Sequence, residues 1–552
     1  MTVRAGNNTL SALIRPRAGT AEARPWLLIA VILGIVLAVP LVTVVAKVFT
    51  PGTPAWQHIA QNLLWEYTVN SVFLCLTTGA ITLAVGVGCA WLVSRFRFPG
   101  RGWLEWALIL PLALPSYIVA YSYAGILSFT GPLYTLIGQV GGREAAKALY
   151  FDSMNIFTLA VTLGLVLFPY VYLPAKAAFQ LQSASMFEAA SSLSGKSGMI
   201  FRRVALPLAR PAIAGGLFLV LMEVLNDYGA VYYFGVSTFT TGIFKAWFSM
   251  GDLEAAIRLS AVLMLAVGLL FIAEKYKQRS RFATNTGLKK TGPEPVKGRK
   301  KWLYTLICTL PFLLGFALPF LKIAVDAVAT WTKVSGPQFY MVIANSVMLA
   351  GGAAVLIVVL SVFFIYSSRI NRSVIAKGVN RVVALGYALP GAVIAVGVMV
   401  VGAGLERFTE GIGLTSGSIL VTGSVAGLIY AYVIRFMAVS VNPLEGNFKQ
   451  QCAKPDEAAR SLGKGYLFTL FRVNIPVMRP AILSAFLLVF LDVMKELPLT
   501  LILRPFNFDT LATTAFAYAN DEMLRESAPA SLLIVSAGIV PVLLIHKSIK
   551  SL

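Results

Sequence analysis

The sequence predicts an all-α polytopic membrane protein of about 12 transmembrane helices, arranged as two parallel six-helix repeats. Three observations carry this reading: apolar runs long enough to span a bilayer, basic residues gathered on one side of those runs, and an internal repeat covering most of the chain. The 552 residues are 57% hydrophobic and 13% charged, with a mean hydropathy of +0.77. A soluble domain has nearer 45–50% apolar and about 25% charged residues.

The first run, WLLIAVILGIVLAVPLVTVVA at 26–46, follows a basic stretch as the core of a signal peptide does. It is too long for that role and no small-x-small cleavage site follows, so it is read as a retained helix. Further spans of about 20 apolar residues are expected near 68–94, 105–128, 153–175, 212–236 and 256–273. A second set follows near 302–325, 341–367, 380–402, 418–440, 480–503 and 527–546.

The formal net charge is +22. Such a value raises the question of nucleic acid, but the Lys and Arg form no stripe on one domain. Most fall in alternate loops: Arg95, Arg97 and Arg101; Arg202, Arg203 and Arg210; the segment 275–301; Arg369 to Arg381; and Arg435 to Arg479. By the positive-inside rule these loops and both termini are cytoplasmic. Four cysteines without CxxC spacing, and only His58 and His546, offer neither a disulfide framework nor a histidine metal site.

RSRFATNTGLKKTGPEPVKGRKK (279–301) is basic and poor in apolar residues, as a solvated linker is. It divides the chain into a first transmembrane domain, 1–278, and a second, 302–552. VNSVFLCL (69–76) matches ANSVMLAG (344–351), and LALPSYIVA (112–120) matches YALPGAVIA (387–395), both at an offset of 275. MEVLNDYGAV (222–231) matches LDVMKELPLT (491–500) at an offset of 269, so one deletion of six residues reconciles the halves. Six helices per half make the repeats parallel, which is a transporter architecture with a path expected between the halves.

Two polar segments also repeat at the offset 269: FEAASSLSGKSGMIFRRVALPLARPAIA (187–214) and DEAARSLGKGYLFTLFRVNIPVMRPAIL (456–483). Each begins as a short surface helix. Ser185 with Glu188 fits a capping box, and Asp456 with Glu457 suits a positive helix end. Ala189, Ala190, Ala458 and Ala459 form helix with little bulk, so a partner backbone can approach. Leu193 and Leu462 place one apolar group on the partner side, and Gly195 and Gly463 permit the break that follows. The GKS at 195–197 imitates the end of a phosphate-binding loop, but Ala190 stands where its first glycine belongs and no strand precedes it. Nucleotide binding by this chain is therefore not expected.

EAARSLG (457–463), with Val473 and Ile475-Pro476 beyond it, resembles the EAA loop of ABC importer permease subunits, and EAASSLS (188–194) with Leu206-Pro207 is its second occurrence. The resemblance spans nearly the whole chain and is closest to fused, two-half ferric-iron permeases. It implies the type I ABC importer transmembrane fold in the inner membrane. It also implies two copies of a cytoplasmic ATPase carrying ATP and Mg, and a periplasmic substrate-binding protein. No catalytic residue and no bound cofactor or metal is implied for this chain. Glu188, Ala189, Ala190, Leu193 and Gly195, with Glu457, Ala458, Ala459, Leu462 and Gly463, are the implied ATPase-coupling residues. Ser194 departs from the motif at its glycine. Thiamine, sulfate, molybdate and polyamine permeases share the scaffold.

Two acids lie deep in the fifth span of each half: Glu223 and Asp227 in the first, and Asp492 and Glu496 beside Lys495 in the second. Ionisable groups at mid-membrane usually face a cavity or one another. Four carboxylates would suit a hard cation, which prefers oxygen ligands. An Asp492–Lys495 ion pair is the structural alternative, and Tyr228, Tyr232 and Tyr233 read as an interfacial aromatic belt. Among other classes, a twelve-helix secondary transporter would need no ATPase, and an intramembrane enzyme would need a nucleophile or metal motif that is absent.

Overall fold

A computed structural model describes residues 23–182, 197–277, 293–371, 373–411 and 423–550. Nearly all of these lie in helices, and the expected spans recur as Arg24–Lys47, Leu64–Arg95, Leu206–Asn226, Leu253–Lys277, Pro337–Asn371, Gly391–Gly411 and Val425–Asn447, among others. Among the described residues, nine helices are long and apolar enough to cross a membrane, or eleven if each of two bent pairs is one span. The last expected span corresponds to the Ala528–Lys550 helix, whose apolar stretch Ala528–Val540 is shorter.

Proline chemistry sets the breaks. The segments Arg101–Ala113 and Ser116–Leu149 meet at 94°. Pro115 Cδ crowds Leu114 out of the helical region to ψ 120°, and Leu389 before Pro390 does the same at ψ 138°. The repeated A-L-P triplet therefore ends a short helix and starts a long one in both halves of the sequence.

By internal contact the chain falls into two compact units, residues 1–49 with 345–508 and residues 50–344 with 509–552. These units cut across the halves of the sequence. In the first unit the N-terminal helix packs among second-repeat helices: Trp26 stacks on Phe363 and meets the edge of Tyr366, and the Ser367 hydroxyl donates to the Trp26 carbonyl at 3.0 Å. In the second unit the Leu318–Val334 helix packs against the C-terminal helix, and the Thr330 hydroxyl donates to the Arg525 carbonyl at 2.9 Å. The Tyr123 hydroxyl likewise donates to the Leu314 carbonyl at 2.6 Å.

The end of the linker is also built into the second unit. Glu294–Pro295 pairs in parallel with Phe96–Arg97, and Glu294 receives an Arg95 guanidinium N–H at 2.5 Å. Arg95, counted above as a loop charge, is a buried ion-pair partner.

Candidate functional site

The second of the twin polar segments folds as the expected short helix, Ala453–Ser461. Its end is a Schellman closure: the Lys464 amide donates to the Ala459 carbonyl at 3.2 Å and the Gly463 amide to the Arg460 carbonyl at 3.0 Å. Gly463 stands at φ +75°, a conformation in which a Cβ crowds the following carbonyl. Leu462 projects from this turn 78% exposed, Glu457 is exposed, and Ala459 is buried beneath them. The turn thus presents one exposed apolar group near an exposed acid. Gly463→Ala is expected to cost about 1–2 kcal/mol at that cap, measurable as a lower thermal midpoint of the purified protein.

The helix is fastened by residues that the sequence reading did not select. Asp456 is buried, accepts the Asn474 amide at 3.3 Å, and lies 3.7 Å from the Arg369 guanidinium. Arg369 also donates to Glu457 at 3.0 Å, which links the end of the Pro337–Asn371 helix to the Ala453–Ser461 helix. Tyr466 receives an Arg460 N–H at 2.9 Å while its own carbonyl accepts the Tyr366 hydroxyl at 2.8 Å. Glu188, Ala189, Ala190, Leu193 and Gly195 lie outside the described residues.

Of the four membrane acids, Asp227 and Glu496 sit just past helix ends, whereas Glu223 and Asp492 lie in the last turns of those helices. The Leu206–Asn226 helix ends one residue before Asp227, whose backbone is extended at ψ 125°. Its Oδ1 accepts the Ala230 and Val231 amides at 2.9 and 3.4 Å, while Oδ2 accepts the Ser116 hydroxyl. Glu223 is half-buried and receives the Tyr170 hydroxyl at 3.4 Å. In the other unit the Ile475–Met494 helix stops short of Glu496, whose Oε1 accepts the Leu499 amide at 3.0 Å. Its Oε2 lies 3.4 Å from Nε of Arg435, and both side chains are buried. Asp492 is paired with Lys495 at 2.8 Å. Arg435 is thus a buried residue of the Val425–Asn447 helix, which corrects its assignment to a cytoplasmic loop.

Residues 80–273 match the family described as "Binding-protein-dependent transport system inner membrane component". A ferric-iron, Fe(3+)-transport system permease protein, FbpB 2 of Haemophilus influenzae, is 26% identical over 95% of this chain and 98% of its own length. Over residues 80–273 the chain is thus of the binding-protein-dependent permease family, and its likeness to a permease runs nearly end to end. The permease is also similar to the sulfate transport system permease protein CysW of Escherichia coli, 29% identical over 38% of this chain and 72% of the relative. A probable molybdenum ABC transporter permease protein of Haloferax volcanii is 28% identical over 43% of this chain and 86% of its own length.

Among the described residues of the permease, no group of three or more His, Cys, Asp or Glu side chains is arranged to hold a metal ion. The acids are two per compact unit, each pair built on its own broken helix. Their partners differ in kind: hydroxyls and amides around Asp227, a guanidinium at Glu496, an ammonium at Asp492. A sequence signal for the Arg435 pair did exist. At the offset 269, Arg435 aligns with Val166, so a charge enters one repeat inside a span that the other keeps apolar.

Proposed function

We propose that this permease imports ferric iron, handed over by a periplasmic binding protein and driven by two copies of a cytoplasmic ATPase. One observation carries the substrate: the likeness to the Fe(3+)-transport permease runs through both repeats and the linker, whereas the sulfate and molybdenum relatives correspond to less than half of the chain. The chemistry agrees. A sulfate or molybdate ion would be repelled by a buried carboxylate ringed only by neutral donors, whereas a hard cation is attracted to it.

In this reading both termini are cytoplasmic, as the basic loops require, and the coupling segments face the ATPase. Glu188 and Glu457, with their neighbouring alanines and leucines, seat in a groove of each ATPase subunit. Closure of the ATPase dimer pulls on the short helices, and the Arg369–Asp456 fastening carries the pull to the Pro337–Asn371 helix. ATP and Mg stay on the partner, and this chain performs no bond chemistry.

The test is ATP-dependent uptake in reconstituted vesicles with the neighbouring binding protein, comparing ferric iron, sulfate and thiamine. Ferric uptake is expected; uptake of thiamine or sulfate alone would sink the iron assignment. Replacing Glu188 and Glu457 together by glutamine is expected to weaken ATPase co-purification at least about tenfold, the loss of roughly 1.4 kcal/mol. An ATPase that stays bound to that double variant would remove the coupling assignment.

A further inference from the structure

The internal repeat allows the surroundings of each buried acid to be compared position by position. Asp227 aligns with Glu496 and Val166 with Arg435 at the offset 269, and Ser116 aligns with Gly391 at the offset 275. In one unit Ser116 and Asp227 meet, and in the other Gly391, Arg435 and Glu496 do. In one, the Ser116 hydroxyl bonds Asp227. In the other, the missing side chain of Gly391 is what admits the guanidinium: a Cβ there would lie 2.1 Å from Nη1 of Arg435 and 2.9 Å from Oε1 of Glu496. The carboxylate has been kept, and its partner exchanged, by a matched pair of substitutions.

The exchange changes what each acid can bind. Arg435 is a donor-only group of fixed charge, so the buried Glu496 is electrically neutralised. A second cation reaching it would meet the guanidinium first. Ser116 is neutral, and its hydroxyl oxygen accepts as well as donates, so it can turn a lone pair toward an arriving cation while Asp227 keeps lone pairs of its own. A further oxygen is nearby. Tyr121 is buried, lies within electrostatic reach of Asp227, and its hydroxyl has no hydrogen-bond partner among the described residues. A buried orphan hydroxyl is a group built to be satisfied by something else.

We propose that the transported cation is met inside the membrane on one repeat only, by Asp227 with the Ser116 and Tyr121 hydroxyls, and that Arg435 holds Glu496 out of this contact. The proposal rests on the cation reading above and replaces a symmetric cage of four carboxylates by a one-sided site. Its occupant is a hard cation rich in exchangeable oxygen ligands, passing without stable capture.

The experiment is ferric uptake by the complete reconstituted complex, with Asp227→Asn, Asp227→Glu and the pair Arg435→Met with Glu496→Leu. Asparagine retains the capping oxygen for the Ala230 and Val231 amides and removes the charge, with its NH2 now donating to the Ser116 oxygen. Asp227→Asn is expected to lower ferric uptake at least about tenfold while the complex keeps its ATPase subunits and its thermal midpoint, and Asp227→Glu is expected to recover part of the loss. The paired variant is expected to stay within about threefold of wild type, because an apolar pair of similar volume replaces a buried ion pair at little cost. If that variant does not fold, Arg435→Met with Glu496→Gln, which keeps an acceptor for Leu499 and leaves no buried charge, serves in its place. Unimpaired uptake by Asp227→Asn, or an equal loss in the Glu496 variant, overturns the one-sided site. Failure of wild type to take up ferric iron at all would instead overturn the substrate reading.

Discussion

Replacing Arg435 alone by leucine is expected to cost about 3–5 kcal/mol, the usual penalty for leaving one member of a buried ion pair uncompensated. Both side chains are buried, and the Glu496 carboxylate would keep only the Leu499 amide from among these partners. Thermal unfolding of the detergent-solubilised protein is the measurement, with a large fall in midpoint as the expected result. Joint replacement of Glu496 by leucine should return most of the loss, because two apolar groups then occupy a site that no longer holds an isolated charge. An equal fall in the double variant would mean that Arg435 acts through packing of its stem rather than through its charge.

Asp456→Ala is expected to have the next largest effect, on coupling more than on global stability. The substitution removes a buried acceptor from both Asn474 and Arg369, leaving the Asn474 amide and the guanidinium to lose their fastening. About 2–3 kcal/mol of local stability should go, and with it the fixed angle of the coupling helix. Substrate taken up per ATP hydrolysed is expected to fall about tenfold, while Asp456→Asn, whose single oxygen can still accept the Asn474 amide but gives up the ion pair, should retain only part of it. The neighbouring pair behaves differently. Glu457 is exposed and its bond to Arg369 is worth at most about 1 kcal/mol. A change at Glu457 therefore reports on docking, and a change at Asp456 on the mounting of the helix.

The helices were legible because bilayer thickness imposes their length and composition, whatever they pack against. The breaks at Leu114 and Leu389 were legible for a similar reason, since proline acts on its own neighbour. The termination ahead of Asp227 and Glu496 was not: no proline forces it at Asp227, and the i+4 spacing from Glu223 read as one helical face. The ion pair of Arg435 with Glu496 joins positions 61 apart, 496 minus 435, and a basic residue near the end of an apolar run reads as a loop charge until its partner is known. Asp456 was passed over because its own helix explains an acid there; its burial is a property of Arg369 and Asn474 as neighbours. Comparing the repeats for unlike residues, rather than like ones, would have found both positions, since their counterparts are Val166 and Phe187.

The exchange of the N-terminal helix has a consequence for how the protein is made. The helix that ends at Lys47 packs with residues that begin at Asn345, which are 298 positions further on, 345 minus 47. At 5–20 residues per second, a ribosome needs about 15–60 s to produce them. For that interval the first helix sits in the bilayer without its packing partners. Its sparse charge and largely apolar surface let lipid stand in for the missing neighbours, so the nascent chain can wait. A second repeat supplied late, or as a separate polypeptide, would find the first helix already in place and unoccupied.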